Sequence, residues 1–356
     1  MSPIISRLSS LGGGGTGGFT FGKRKVPGGS GGGAFDVQFE LILANTSSNN
    51  IIKYNSITDT FSSVTIGSSG QIYHLHNTSS GLVAIANGDG NNCTVYRSTN
   101  NGSSWSSIGS VGFSAINQSR YSSKSGETIV VNQGSSYDPP VRRSTNGGSS
   151  WSGNITLPGF SGYGALGSAS RSNGNWYYTG RHQGGYDVGA MWRSTDDGAN
   201  WTRVATFSND QTNGKVTYMS NVSRYLAANY PYSTYSYQKP VYSSNGTSWT
   251  NPGNGNDTSN RIDTDLDASS TSCIGTRSNT SIFRSTDGLN WSSIDLSYLS
   301  GLNTHRSVTY DSTLDAYFVL GSSYFLISLD DGITWQKKST IISGDYSSVA
   351  PLILPS

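Results

Sequence analysis

Ser98-Thr99-Asn100-Asn101-Gly102-Ser103-Ser104-Trp105 is the stretch that decides how this chain is read. The residues leading into it, Val95-Tyr96-Arg97-Ser98, alternate in character as a strand does. Asn-Gly then supplies the positive φ angles of a tight turn. The Asn100 side chain is placed to bond turn amides, as in an Asx-turn. Trp105 opens the next strand and folds back on the turn, and burying such a ring contributes about 1.5–3 kcal/mol. The block reads as a hairpin.

The same block returns along the chain. Full-length copies are Ser144-Thr145-Asn146-Gly147-Gly148-Ser149-Ser150-Trp151, Ser194-Thr195-Asp196-Asp197-Gly198-Ala199-Asn200-Trp201 and Ser328-Leu329-Asp330-Asp331-Gly332-Ile333-Thr334-Trp335. Two copies are one residue shorter: Ser243-Ser244-Asn245-Gly246-Thr247-Ser248-Trp249 and Ser285-Thr286-Asp287-Gly288-Leu289-Asn290-Trp291. Successive Trp residues lie about 42–50 positions apart. One step back from Trp105 is Phe61, closing Tyr54-Asn55-Ser56-Ile57-Thr58-Asp59-Thr60-Phe61, a degenerate seventh copy. A unit of roughly 45 residues holds four short strands, the size of one propeller blade. The missing residue in the two short copies predicts altered hairpins.

The pattern Ser-x-Asp-x-Gly-x-x-Trp resembles the signature of Asp-box (BNR) β-propellers. That class includes sialidases, sortilin-like receptors, some xyloglucanases and a photosystem assembly factor. The resemblance implies an all-β, seven-bladed β-propeller, with six blades as the alternative if the first unit is not a true blade. It leaves function open, because the class spans enzymes, receptors and assembly factors. The box residues Asn100, Trp105, Asn146, Trp151, Asp196, Trp201, Asn245, Trp249, Asp287, Trp291, Asp330 and Trp335 are read as structural rather than ligand-binding.

The first unit starts at Val37–Ala44 and Ile51–Asn55, which look like second and third strands with no first strand ahead of them. Tyr346-Ser347-Ser348-Val349-Ala350-Pro351-Leu352-Ile353-Leu354 is predicted to supply that innermost strand and so remove open sheet edges. Residues 35–356 are then one propeller. Residues 1–34 form a Gly-rich leader in which glycine runs bracket Phe19-Thr20-Phe21-Gly22-Lys23-Arg24-Lys25. The leader resembles the Gly-rich N-termini of some marine-phage structural proteins. It reads either as a linker or as a docking segment, with Phe19 and Phe21 as anchors and Lys23, Arg24 and Lys25 as a basic patch.

Composition narrows the function classes. In 356 residues only 12% are charged and the net charge is +2, which points away from nucleic acid and anionic membranes as main partners. The 45 Gly belong to turns, and 8 Trp, 21 Tyr and 11 Phe are enough aromatic surface for a core. Cys93 and Cys273, in different units, read as buried thiols. No apolar run reaches the roughly 18 residues of a membrane helix, and Met1–Arg7 does not read as a signal peptide. An outward-facing composition without an export signal fits a virion protein released by lysis.

Chemistry is sparse. A sialidase would need an arginine triad, and Arg120, Arg171, Arg261 and Arg306 lie near inner strands without a family motif. A glycosidase needs two facing carboxylates. The most concentrated acids are Asp263, Asp265 and Asp267, which share one side of a strand and are read either as bonded to neighbouring strands or as a cation or acid site. His74 and His76 form an i,i+2 pair without an evident third metal ligand. Neither a metal nor a cofactor is expected. A Tyr-rich connection, Asn229–Pro240, carries Tyr230, Tyr232, Tyr235 and Tyr237, and the neighbouring connections carry Tyr137 and Tyr186. Tyrosines on loops suit sugar rings or protein surfaces, so these six are the candidate binding residues. The reading is a non-catalytic phage tail or fibre protein. Its leader would join other virion proteins, and its propeller would meet a host-surface glycan, a protein or another subunit. A glycan-active hydrolase and a cellular assembly factor are the alternatives.

Overall fold

The computed structural model describes residues 38–67, 70–87, 93–113, 124–132, 140–160, 168–181, 188–208, 214–228, 239–252, 262, 264–277, 279–339 and 346–353. Among them every regular element is a strand, apart from one 3-10 turn at Ser220–Val222. The strands form seven separate antiparallel sheets. Sheet two is representative: Gln71–Thr78, Gly81–Asn87, Cys93–Ser98 and Ser106–Ser110 pair in chain order from the inside outward. Sheets four, six and seven repeat this, beginning at Ser168, Asp265 and His305 respectively. Sheets three and five have three described strands each, and their outer positions are reduced to single bridges, Val141 with Ile155 and Tyr242 with Thr250.

Sheet one is the exception in connectivity. Its order is Tyr346–Ile353, Phe39–Asn45, Asn50–Asn55, Thr60–Thr65, so the innermost strand comes from the far end of the sequence. Phe39 lies opposite Ile353 and Leu43 opposite Val349. Phe39–Asn45 is buried along its whole length, as expected of a strand paired on both edges and covered on both faces.

Apolar residues on the sheet faces are shared between neighbours. Ile42 and Ile51 of sheet one pack with Leu75 and Ala84 of sheet two. Val83 and Val95 of sheet two meet Ile129 and Val131 of sheet three. The series continues through Val130 with Trp176, Tyr177 with Tyr225, Leu226 with Phe283, and Ile274 with Val319. It returns to its start where Phe318, Phe325 and Ile327 of sheet seven pack on Phe39, Leu41 and Tyr54 of sheet one. The seven sheets form a closed ring.

The repeated block forms the hairpin between the two outer strands. In the first full copy Gly102 N–H donates to Ser98 Oγ (2.8 Å), and Ser104 N–H donates to Asn100 Oδ1 (2.9 Å). The Trp105 indole N–H donates to the Gly102 carbonyl (3.1 Å). Glycine is required at the turn. Gly198 sits at φ +86°, and a Cβ there would stand 3.0 Å from Val130 of the preceding sheet. Each turn therefore lies against the sheet before it, and polar latches fasten the two. Arg97 donates to the Gly147 carbonyl (2.8 Å), and Arg284 pairs with Asp331 (2.8 Å). Glu127 accepts from Ser79 Oγ (2.6 Å) and Ser80 Oγ (2.7 Å). At the seam between sheets seven and one, Lys338 pairs with Asp59 of the degenerate copy (2.7 Å).

Candidate functional site

The inner strands of sheets five, six and seven bring charge together away from water. Lys215 stands just before Val216–Met219, and Asp265 and Asp267 lie on Asp265–Ala268. Alternation along each strand puts Lys215 and Thr217 on one side, and Asp265 and Asp267 on another that faces sheet seven. The Lys215 ammonium contacts Asp267 Oδ2 (2.7 Å) and donates to the Val308 carbonyl (3.0 Å). Thr217 Oγ1 donates to Asp267 Oδ1 (3.0 Å), and Tyr310 N–H donates to Asp267 Oδ2 (2.9 Å). Asp265 is fully buried; its Oδ2 accepts from Val308 N–H (2.9 Å) and Ser307 Oγ (3.2 Å).

Burial pushes the Asp265 carboxyl up to about 6, against the pull of Lys215. Burial works to discharge Lys215 as well, but the charges of Asp265 and Asp267 outweigh it and hold its pKa above the ordinary lysine value. Burial also pushes the nearby Cys273 thiol well above its usual range. The cluster ties three sheets together around the inside of the ring. The two aspartates bond to neighbouring strands, one of the two readings open from sequence, and Lys215 supplies their cation. Asp263 lies outside the described residues.

Sequence reasoning missed Lys215 and the latch arginines, because each partnership depends on which sheet stands next to which. The one available signal was alternation: Lys215 and Thr217 are polar positions on an otherwise apolar inner strand.

His74 and His76 are buried and stacked, with ring centroids 6.3 Å apart. Among the described residues no group of three or more His, Cys, Asp or Glu is placed to hold a metal ion. His305 is fully buried beside the Tyr324 ring, and burial pushes its pKa down to about 4. Cys93 and Cys273 are free and buried. Arg171 and Arg306 lie on the inner strands of sheets four and seven, whereas Arg120 and Arg261 fall outside the described residues. The candidate binding residues Tyr137, Tyr186, Tyr230, Tyr232, Tyr235 and Tyr237 also lie outside them, as do Phe19, Phe21, Lys23, Arg24 and Lys25 of the leader. No described helix is long and apolar enough to cross a membrane.

The remaining described acids are also engaged. Glu40 pairs with Lys53 (3.0 Å), and Asp197 accepts from Thr128 and from the Trp176 indole (2.9 Å). Asp331 accepts from Ser269 Oγ (2.7 Å) and Ser272 Oγ (2.8 Å), and these bonds outweigh burial to lower its pKa. Asp295, Asp311 and Asp315 accept from Ser297 N–H, Leu314 N–H and Tyr310 Oη respectively. Asp196, Asp287 and Asp330 are used in their own hairpins. A cavity of about 370 Å³ on sheet one is lined by the Glu40–Lys53 pair, Thr60, Ser62, Val64 and, from the next hairpin, Ser103.

No family model and no curated protein matches this sequence. Solved structures do match. YCF48 bound to D1 peptide aligns with a TM-score of 0.50 and 17% identity over 85% of this chain and 84% of that one. The fold is a β-propeller. AztD from Citrobacter koseri (TM-score 0.45, 7% identity, 89% of this chain and 98% of that one) and Trypanosoma rangeli sialidase (0.46, 14%, 79% and 55%) are more distant matches.

Proposed function

We propose that this propeller is a non-catalytic binding platform, built on the Asp-box plan, and that it serves as a tail or fibre component of a phage particle. One observation carries the platform reading: every carboxylate among the described residues accepts a hydrogen bond or ion pair that holds the ring or a turn in place. A glycosidase works with a pair of carboxylates facing open space across a sugar. Here Asp265, the acid whose pKa is raised, has no exposed surface and is bonded to the neighbouring sheet. The rigid closed ring, with long Tyr-bearing connections between its strands, suits recognition of a protein or glycan surface. YCF48, a propeller found with a bound peptide, gives a precedent for the partner class. The virion reading is supported by the low charge and by the likeness of the Gly-rich leader to phage structural proteins.

Mass spectrometry of density-purified phage particles from the source culture tests it. Stoichiometric recovery of peptides from residues 35–356 is expected. Recovery from cells or medium alone would discard the virion reading and leave the platform to be probed with peptide and glycan arrays.

A further inference from the structure

Each sheet of a propeller ends in an outer strand whose far edge faces solvent, and such edges invite pairing unless something blocks them. Most edges here carry a block. The outer strand of sheet seven, Gln336–Ser339, carries the part-exposed Lys337. That of sheet four, Thr202–Ser208, carries Arg203 and is bulged at Val204, between the Trp192–Arg203 and Met191–Ala205 pairs. That of sheet two is broken by a bulge at Val95/Tyr96, with Gly109 at φ +141°. Sheet six has only Ser292–Ser293, and sheets three and five have single bridges. Sheet one differs from all of them. Thr60-Phe61-Ser62-Ser63-Val64-Thr65 pairs with Asn50–Asn55 without any register shift, and it contains no charge and no proline.

The ladder shows which backbone groups this edge offers. Ile66 N–H donates to the Asn49 carbonyl (2.9 Å), one step beyond the Asn50–Thr65 pair. Backbone direction alternates along a strand, so Val64, Ser62 and Thr60 also turn inward. Phe61, Ser63 and Thr65 turn their N–H and C=O groups outward. An antiparallel strand that uses all of them has a register that is its own mirror about Ser63: Ser63 faces Ser63, and Phe61 faces Thr65. On the other face of the sheet, Ser62 falls opposite Val64. These are apolar, β-branched and hydroxyl pairs, with no like charges opposed.

We propose that the outer strand of sheet one, Thr60–Thr65, is a self-pairing edge that joins two copies of this chain side by side about a two-fold axis through Ser63. The occupant is a second copy because the register that uses every outward-facing group sets Ser63 opposite Ser63, Phe61 opposite Thr65 and Ser62 opposite Val64, a self-match with no charge opposed, and closed two-fold dimers are the commonest assembly of identical chains. The four strands of sheet one then run on into the partner's four. The inference stands on this edge alone and is independent of the virion reading.

Sedimentation of the full chain over a range of concentrations tests it. A concentration-dependent dimer is expected. Ser63→Lys places two ammonium groups opposite each other and should weaken dimerisation at least tenfold. Ser107→Lys, on the bulged edge of sheet two, should leave it unchanged. Ser63 is exposed and its backbone faces outward, so at dilutions where both are monomeric the melting temperature of Ser63→Lys should match that of the parent. Oxidation of Ser63→Cys should give a disulfide-linked dimer, because hydrogen-bonded antiparallel partners bring Cα atoms to about 5.5 Å, within disulfide range. Ser62→Cys, facing Val64, should not crosslink. A monomer at every concentration, a dimer indifferent to Ser63→Lys, or equal crosslinking at both positions would overturn the proposal.

Discussion

Four repeat hairpins have eight residues and two have seven, and the structure separates what that residue does from what it does not. In both lengths the Ser hydroxyl accepts from the turn glycine: Gly102 to Ser98 at 2.8 Å in a long copy, Gly288 to Ser285 at 2.8 Å in a short one. In both, the Asp or Asn side chain accepts from the amide preceding Trp: Asn200 to Asp196 at 2.9 Å, Asn290 to Asp287 at 2.8 Å. The tryptophan differs. Trp105, Trp151, Trp201 and Trp335 each donate their indole N–H to the turn glycine's carbonyl, at 3.0–3.2 Å. The N–H groups of Trp249 and Trp291 are buried with no hydrogen-bond partner among the described residues. The polar half of the hairpin is thus indifferent to length. The anchoring of the ring is not, and the short turns keep their tryptophans for apolar contact alone.

The comparison is best broken by deleting the rings outright. Trp201→Ala and Trp291→Ala both remove a buried ring and should each cost about 3–5 kcal/mol, read as a large fall in denaturation midpoint. If the short-turn variant were far milder, apolar contact would not be what retains its ring. Next in size is the acid. Asp330→Ala and Asp287→Ala leave turn amides without their acceptor and should each cost about 1–3 kcal/mol, with no systematic difference between lengths. The sharpest separation comes from Trp→Phe. Trp201→Phe should lose more stability than Trp291→Phe by about 0.5–1.5 kcal/mol, the worth of one hydrogen bond, because only the long turn has that bond to lose. Parity in urea titrations would dissolve the distinction.

The smallest expected effect is in pH. Bonds from the backbone and side chain of Asn200 and from Ser194 hold Asp196 down at about 2. Asp287 is held at about 2 as well, where the Asn290 and Leu289 amides outweigh burial. A carboxyl with a lowered folded pKa contributes stability that is complete above its unfolded value near 3.8 and is lost as pH falls through about 2. Asp196→Asn and Asp287→Asn should narrow the gap to wild type between pH 4 and pH 2. The copies built on Asn100, Asn146 and Asn245 have no carboxyl to titrate there.

How much of this was legible beforehand follows from the range of each interaction. The hairpins were legible because Ser, Gly and Trp act within eight residues of one another. The closing strand was legible through an absence: Val37–Ala44 had no first strand ahead of it, and Tyr346–Leu354 was an apolar run without a place. The outer strand of sheet three was not legible, although the four-strand unit implied one after Trp151. The structure keeps only the Ile155 bridge there, with Gly153 breaking the run before it. The Asp265–Asp267 pair was visible, but its partner Lys215 was not, because no local pattern specifies which side chain of the next sheet will face a given strand. The uncharged edge of sheet one was written in the sequence as an absence of charge, and it gained meaning only beside Lys337 and Arg203 on the outer strands of sheets seven and four.

The strand Tyr346–Ile353 also sets a timetable. Its partner, Phe39–Asn45, leaves the ribosome before the other described strands but stays half-made until nearly all of them have followed. A pairing of such long contact order is slow to form, and until it does the buried strand Phe39–Asn45 is open on one side to other chains. Once made, it ties the first sheet to the last, so that no single sheet can peel from the end of a row. The molecule should come apart as a whole or hardly at all, so its persistence is set by how rarely the whole ring opens rather than by the weakest of its sheets.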